Sequence, residues 1–310
     1  MKVITRAAEM AAERAAMQGR VGFVPTMGAL HEGHLSLVQR ARSESDRVVV
    51  SVFVNPAQFG PQEDFAAYPR DLDRDLRLLE AEGVDVVLAP PPEEIYPPGF
   101  DEWVEVSGPL TSTLEGAFRP GHLRGVTTVV ARLFCIVRPQ RAYFGEKDAQ
   151  QLRVVRRMVQ EQGLPVEVIG LPTVREPDGL AMSSRNAYLS PEERQAALVV
   201  PGALALARRM VEEEGVRDPG AVRRAAEELI RQKPQVRIDY IAVADYETLE
   251  ELTEIDRPAL LLLAVCIGAT RLIDNVPLIP AGAEPPAALK ERTEPRRVEE
   301  GRFGSVTPRL

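Results

Sequence analysis

Histidine is nearly absent from this chain of 310 residues, with three in all. Cysteine is rarer at two, aromatic residues make up 5%, and the formal net charge is −8. Each scarcity excludes something. An acidic chain with few aromatics offers no basic stripe with interleaved rings, which argues against a nucleic-acid surface and against acidic membranes. A local basic pocket for a phosphate ligand stays open, because net charge says nothing about one site. Both cysteines, Cys135 in "ARLFCIV" and Cys266 in "LLLLAVCIG", lie in apolar runs. They are expected to be buried reduced thiols, which favours a reducing compartment, the cytoplasm. The opening "MKVITRAAEMAAERAAMQGR" has no apolar signal core, and Glu9 and Glu13 argue against a transit peptide. The apolar stretch Leu260 to Cys266 is far shorter than the roughly 20 residues that span a bilayer. What is present is ordinary globular material, 45% hydrophobic and 27% charged, enough for one large core or two unequal ones.

The first half alternates strand-like and helix-like segments. Helical spacing is read over Arg6 to Gln18, His34 to Ser45, Leu72 to Ala81, Val126 to Val137 and Ala149 to Gln162. Between them lie "RVGFVP", "RVVVSVFV", "VDVVLAP", "RAYFG" and "PVEVIGLP", with a proline-rich connection from Pro90 to Pro98. Continuous Val/Ile/Leu strands separated by helices predict a doubly wound parallel sheet covered on both faces. After Pro172 the rhythm changes. A helix is expected over Pro191 to Glu213, opened by Ser190 as N-cap, and another over Ala221 to Arg231. Three strand candidates follow without a long helix between them: "RIDYIAV", "ALLLLAVCIG" and "TRLIDNV". The expectation is an α/β, Rossmann-like domain over residues 1–173 and a smaller α+β C-terminal domain over 174–279. Residues 280–310 are Pro-, Glu- and Arg-rich and read as a solvated tail.

Two of the three histidines, His31 and His34, sit in "PTMGALHEGHLSL", Pro25 to Leu37. Pro25 ends a strand, Gly28 permits a turn, and Gly33-His34 opens a helix. Strand, tight turn and helix N-terminus make an anion site, since unpaired N–H groups and the helix dipole both favour negative charge. Imidazoles there can donate to phosphate oxygens, more strongly as charge builds on them. Two other readings stay beside this one. The pair could hold a metal, although the zinc-protease helix motif spaces its histidines four apart and no third ligand is evident. The histidines could also serve the helix start alone. Neither a Walker A loop nor a three-glycine dinucleotide fingerprint is present.

His31-Glu32-Gly33-His34 resembles the His-x-Gly-His signature of the nucleotidyltransferase superfamily. The longer "PTMGALHEGHLSL" is similar to one family within it, the pantoate–β-alanine ligases. "FVNPAQF", "RPGHLRGV", "YFGEKDAQQL", "GLAMSSRNAYL" and "ATRLIDN" agree, in the family's order, over roughly residues 1 to 279. The tail after Pro280 departs from the pattern. The resemblance implies ATP-dependent condensation of pantoate with β-alanine, through pantoyl adenylate, to pantothenate, AMP and pyrophosphate. It implies a homodimer, Mg²⁺ as the ATP counter-ion with ligands unassigned, and neither a nucleic-acid partner nor a membrane.

By the same resemblance His34, His31 and Lys147 are the catalytic candidates. The ATP site would comprise Met27, Gly28, Ala29, Leu30, His31, Glu32, Gly33 and His34, then Gly145, Glu146, Lys147 and Asp148, then Val174 and the run Met182, Ser183, Ser184 and Arg185. Lys147, just past the strand "RAYFG", is a mobile point cation suited to phosphates, though a surface lysine is the plain alternative. Asp148 matches a nucleotide-contacting position and could equally cap the next helix. Hydroxyls and a guanidinium in "MSSR" suit non-bridging phosphate oxygens, where a Ser-rich linker is the alternative. Val174 aligns with a backbone contact to adenine. Gln58, Gln151, Asn55, Pro25 and Thr26 would bind pantoate, with neutral amides reading its hydroxyls and carboxylate. Asn55-Pro56 is also a turn signal. Tyr68, Arg119, His122 and Arg124 are expected at the entrance or in ordinary loop roles. The nearest competing function is another nucleotidyltransferase acting on a phosphate substrate, which "FVNPAQF" and Gln151 disfavour.

Overall fold

The structure, a computed structural model, describes residues 1–61 and 63–290. Its first part runs β1 (Lys2–Ile4), α1 (Ala7–Ala16), β2 (Val21–Thr26), α2 (Glu32–Glu44), β3 (Arg47–Val52), α3 (Leu72–Ala81) and β4 (Val86–Leu88). Three one-turn helices follow in the proline-rich connection and beyond it, α4 (Pro92–Ile95), α5 (Pro109–Ser112) and α6 (Glu115–Phe118). Then come α7 (His122–Val137), β5 (Arg141–Gly145), α8 (Ala149–Glu161) and β6 (Glu167–Leu171). The six strands form one parallel sheet in the order β1-β4-β3-β2-β5-β6. The chain winds one way from β2 to β3 and the other way from β5 to β6. The fold is therefore α/β, Rossmann-like and doubly wound, as the alternation predicts, with its topological switch point between β2 and β5.

Period-2 alternation assigns the strand side chains to the two faces. Val21 and Phe23 of β2 and Val49 of β3 join the core under α1, α7 and α8, beside Met10, Phe134 and Met158. Val24, Val48 and Val50 face the other core with Val38 and Ala41 of α2 and Leu79 of α3. Both faces are apolar, which is why these strands read as unbroken Val/Ile/Leu runs.

Beyond β6 lie α9 (Pro191–Ala197), α10 (Val199–Glu212) and α11 (Pro219–Arg231). The antiparallel sheet β7 (Val236–Asp245), β8 (Ala259–Ile267), β9 (Thr270–Leu278) follows. Leu261, Leu263 and Val265 of β8 pack under α10 and α11. Leu260 and Leu262, pointing the opposite way, pack on Leu114 and Ala149 of the first part. The run "ALLLLAVCIG" lacks alternation because the central strand is buried on both sides.

Three local expectations need correction. The helix expected over Pro191 to Glu213 is two helices, α9 and α10, broken at Leu198. Pro201 has no N–H to continue the ladder and sits in the first turn of the second helix, where none is needed. The helix expected from Val126 starts at His122, after Gly121 in the left-handed region (φ 84°). Cys135 is exposed and Cys266 half-buried. Helix α7 turns Cys135 outward while Leu133, Phe134 and Val137 point in.

The segment past Pro280 is not wholly solvated. A short helix α12 (Ala287–Lys290) carries Leu289 onto the Leu114, Leu260 and Leu262 cluster, and Arg217 donates to the Ala281 carbonyl at 3.3 Å. The rest of the expected tail, residues 291–310, lies outside the described residues. A half-buried leucine on a preformed cluster contributes about 1 kcal/mol. A chain ending at Ile279 is expected to melt cooperatively, with stability lowered by about that amount in urea titration. Loss of the cooperative transition would show that the segment holds the fold together.

Candidate active site

A cavity lies over the carboxyl ends of β2, β3 and β5, at the switch point. One wall is the loop from β2 to α2. His31 is the N-cap of α2 with extended backbone (φ −139°, ψ 174°), and its Nδ1 accepts from the Gly33 amide at 3.2 Å. His34 Nδ1 accepts from the His31 amide at 3.4 Å, so the two form a reciprocal capping box. A backbone amide only donates, so both Nδ1 atoms are acceptors. In a neutral ring the proton then sits on Nε2. The rings lie 4.1 Å apart, and both line the cavity. Helix-start duty and access to a ligand coexist here, because capping uses one nitrogen of each ring and leaves the other.

Both imidazoles are neutral at pH 7. Burial, aided by the Lys147 cation, brings His31 down to about 4. Burial, then His31 and Lys147, bring His34 down to about 3. In the neutral form each ring keeps one donor, at Nε2, beside its accepting Nδ1.

The turn before them is held by a residue that the sequence did not single out. Asp75 of α3, 1% exposed, accepts from the amides of Ala29 (2.8 Å) and Leu30 (2.9 Å). Ala29 has φ 51°, and a Cβ on Gly28 would stand 2.9 Å from the Asp75 carboxylate. Asp75 falls in the acidic first turn of α3, where helix-dipole preference already accounts for an aspartate, so the sequence carried no separate signal. Thr26 Oγ1 donates to the Ser51 carbonyl (2.7 Å) and accepts from the Gly28 amide (3.2 Å), tying the same turn to β3.

Across the switch point, β5 runs into one 3₁₀ turn, Glu146–Asp148, that presents Lys147. Lys147 Nζ lies 3.8 Å from Asp148 Oδ2. Asp148 makes no side-chain cap to α8 and faces the cavity instead. Asn275 of β9 donates to the carbonyls of Glu146 and Lys147, both at 2.9 Å, so the small sheet fixes the lysine's turn.

The "MSSR" loop comes over the top, positioned by a bridge between Arg175 and Ala181 and by the Met182 amide donating to the Val174 carbonyl (3.0 Å). Ser184 Oγ donates to the Ala29 carbonyl at 3.1 Å, joining this loop to the histidine turn. Arg185 forks onto Asp64 with two bonds of 2.9 Å and stands over the Tyr68 ring. At the end of β3, Asn55 caps a 3₁₀ turn, Pro56–Gln58, that ends with Gln58.

Of the residues singled out from sequence, Pro25, Thr26, Met27, His31, Gly33, His34, Asn55 and Gln58 line this cavity. So do Gly145, Lys147, Asp148, Gln151, Val174, Met182, Ser183, Ser184 and Arg185. Gly28, Ala29, Leu30, Glu32 and Glu146 do not. Leu30 is core and Glu32 is exposed. Tyr68, Arg119 and His122 also line it, whereas Arg124 stands over Trp103 and pairs with Glu105. His122, pushed down to about 4 by burial and by Arg119, holds the Gln58 carbonyl through Nδ1 at 2.9 Å. Sequence reading missed the apolar part of the wall: Phe53, Val126, Val129, Val130, Leu133 and Phe144. Those positions read as core, and only the fold shows that one face of α7 ends in open space.

The family model for pantoate-beta-alanine ligase matches residues 2–277. The chain belongs to the pantoate–β-alanine ligase family. It is 58% identical to the pantothenate synthetase of Roseiflexus sp. (strain RS-1) over 278 residues, 89% of this chain and 98% of that one. The pantothenate synthetase of Thermus thermophilus is 57% identical, with 90% and 100% covered. A crystal structure of the Thermus thermophilus enzyme superposes with a TM-score of 0.85, 55% identity, and 89% and 99% coverage. A Francisella tularensis pantoate-beta-alanine ligase, crystallised with beta-gamma ATP and beta-alanine, gives 0.75 at 34% identity, with 89% and 97% covered.

Neutral buried imidazoles tie stability to pH. An unfolded chain protonates histidine near the ordinary 6.5, while the fold resists until about 4 for His31 and His122 and about 3 for His34. Between those limits the unfolded state binds the extra protons. Stability should therefore fall as pH drops below 6.5, by up to about 1.4 kcal/mol per pH unit for each imidazole. Glu63, Asp85 and Glu115, all held below their ordinary values, extend the loss below pH 4.5. Urea titrations at pH 7, 6 and 5 should show the loss beginning well above the carboxylate range. Unchanged stability down to pH 5 would mean that the imidazoles ionise freely in the fold.

Proposed function

We propose that this cavity joins pantoate to β-alanine, with cleavage of ATP, in two displacements. In the first, a pantoate carboxylate oxygen attacks the α-phosphorus, the bond to the bridging oxygen breaks, and pyrophosphate leaves with the electron pair. In the second, the β-alanine amine attacks the acyl carbon, AMP departs, and the nitrogen gives up a proton. A carboxylate is a poor electrophile, and adenylation supplies its leaving group. Positioning and charge stabilisation are what a protein adds to such a transfer.

The observation that carries this reading is the facing pair at the switch point: two imidazoles with Nε2–H free, and Lys147 opposite. The imidazoles donate to α-phosphate oxygens as charge grows there, without transferring a proton. Lys147 follows the phosphates as a point charge. Ser183 and Ser184 offer hydroxyls to the same chain. Arg185 adds its charge where a phosphate shares or replaces Asp64. Asp148 meets the ribose and the Val174 backbone the adenine. Gln58 and Gln151 read the hydroxyls and carboxylate of pantoate beside Pro25 and Thr26, with Asn55, its own amide fully bonded within the protein, behind Gln58. Phe53, Val126 and Val130 give its two geminal methyl groups an apolar wall, which a second phosphate substrate would not use.

Among the described residues no three His, Cys, Asp or Glu side chains are grouped to hold a metal ion. Mg²⁺ would be carried on the triphosphate with water completing its shell. The ion would neutralise phosphate charge. Residues 174–279 act as a smaller domain closing over the nucleotide, against the ligand-binding domain 1–173. A homodimer working in the cytoplasm completes the proposal. None of the described helices is long and apolar enough to cross a membrane.

His34→Ala is expected to lower kcat by ~10²–10³-fold with a smaller change in ATP affinity, the pattern of a donor that acts mainly in the transition state. It should also cost up to about 1 kcal/mol of stability through the lost back-bond of the capping box, while the His31 cap remains. Near-normal turnover in the folded variant would remove His34 from the chemistry.

The reaction itself is tested with pantoate labelled with ¹⁸O in its carboxylate. One labelled oxygen should appear in AMP, and pyrophosphate should form before any amine is added. Label in inorganic phosphate with ADP as co-product would establish acyl-phosphate activation instead. No turnover of pantoate would favour a nucleotidyltransferase with a different acceptor.

A further inference from the structure

Asn55, 1% exposed, makes four hydrogen bonds from its side-chain amide, and two of them fix which way it faces. Its Oδ1 accepts from the Ala57 amide at 3.2 Å, and its Nδ2 donates to the Gly125 carbonyl at 3.1 Å. A backbone amide can only donate and a carbonyl can only accept, so the orientation is settled by the partners. The other two bonds follow from it. Nδ2 donates to Gln58 Oε1 at 3.0 Å, and Oδ1 accepts from the Tyr96 hydroxyl at 2.7 Å, the shortest of the four.

The consequence reaches the cavity. With Oε1 occupied by Asn55, Gln58 keeps its Nε2 for the other side, where it now lies 3.0 Å from Met27 Sδ in the cavity wall. A free glutamine can turn either its oxygen or its nitrogen to a ligand. This one is set as a donor, the polarity that suits a carboxylate or hydroxyl oxygen. Tyr96 stands at the far end of that chain. It follows the one-turn helix α4 and packs against Phe53, Phe100 and Trp103. Burial pushes its hydroxyl above the ordinary phenol range, so it keeps the proton that it donates.

We propose that Tyr96 is a positioning residue for pantoate: it anchors the Oδ1 end of Asn55, whose orientation the Ala57 and Gly125 backbone sets, and through Asn55 it steadies Gln58 as a hydrogen-bond donor toward the acid substrate. The assignment rests on the reading of Gln58 as a pantoate contact. It adds a residue from the proline-rich connection, outside the cavity wall, to the specificity apparatus.

Tyr96→Phe removes only the hydroxyl and keeps the ring among its aromatic neighbours. Loss of one neutral hydrogen bond in the chain should raise the KM for pantoate about 3- to 10-fold. The KM for ATP should stay within about twofold, since the histidine and lysine turns are untouched. A residue that only filled space would disturb both substrates alike. The decisive comparison adds Gln58→Ala and the double variant. Gln58→Ala should itself raise the pantoate KM, and Tyr96→Phe in that background should add little. If Gln58→Ala leaves the pantoate KM unchanged, the assignment of Gln58 falls and the relay with it. If Gln58→Ala raises it but Tyr96→Phe has no effect, or multiplies independently in the double variant, the relay is wrong while the Gln58 contact stands.

Discussion

The adjacency of β2 and β5 is the constraint on which the rest depends. They are hydrogen-bonded neighbours, Gly22 opposite Arg141 and Phe23 opposite Ala142, yet their onward connections leave in opposite directions. The ends of those two strands are left uncovered by any crossover. Whatever follows each strand must face the other across a crevice. After β2 comes a helix start capped by imidazoles, and after β5 a turn that carries a lysine. Under the proposed function, attraction for a polyphosphate arises from two neutral imidazole donors and one lysine cation rather than from net charge, since the amides of the loop are taken up by Thr26, Asp75 and the histidine caps. An acidic chain can therefore hold an anionic nucleotide.

The sheet and the histidine loop are legible in the sequence because each has a local cause. Val24 and Val50 belong to runs buried on both faces, and Gly28 with Gly33 punctuates the loop at positions where a side chain does not fit. A Cβ on Gly33 would stand 2.9 Å from the His31 ring. What the sequence hides is decided between segments. Asp75 bonds a loop 45 residues away in sequence. Phe53 and Val126 look like core because they are apolar, and the gap that makes them a wall exists only once α7 lies beside β3's exit. Cys135 departs from expectation for a related reason: an apolar run on an amphipathic helix still has an outer face. The break at Leu198 is visible in principle, since Pro201 stands inside the expected helix. The helix period continues across it and hides the interruption.

The small antiparallel sheet does more than sit beside the large one. Asn275 pins the lysine's turn, and Arg175 forks onto the neighbouring Asp274 at 2.7 and 3.0 Å. Arg271 joins Glu115 at 2.7 and 2.8 Å and Asp239 at 2.8 Å, and Tyr240 donates to Glu115 at 2.9 Å. Burying such charges costs desolvation that pairing only offsets, so their value lies in fixing one arrangement of the two sheets more than in raw stability. Glu115 lies 3.6 Å from Arg119, which clamps Glu63 and touches His122. The network thus continues from β9 to the backbone of Gln58.

Only four of the 38 cationic side chains are lysines. Lys2 is tied to Glu9 and Glu13 at the surface, and Lys233 lies past the end of α11. Elsewhere the cations are almost all guanidinium, whereas Lys147 puts an ammonium in the cavity wall beside the small sheet, where the proposed function has it meet the nucleotide's phosphates. A planar fork grips one arrangement of oxygens. Phosphorus that passes from four neighbours to five and back presents three arrangements in turn, and a charge without a plane can follow all of them.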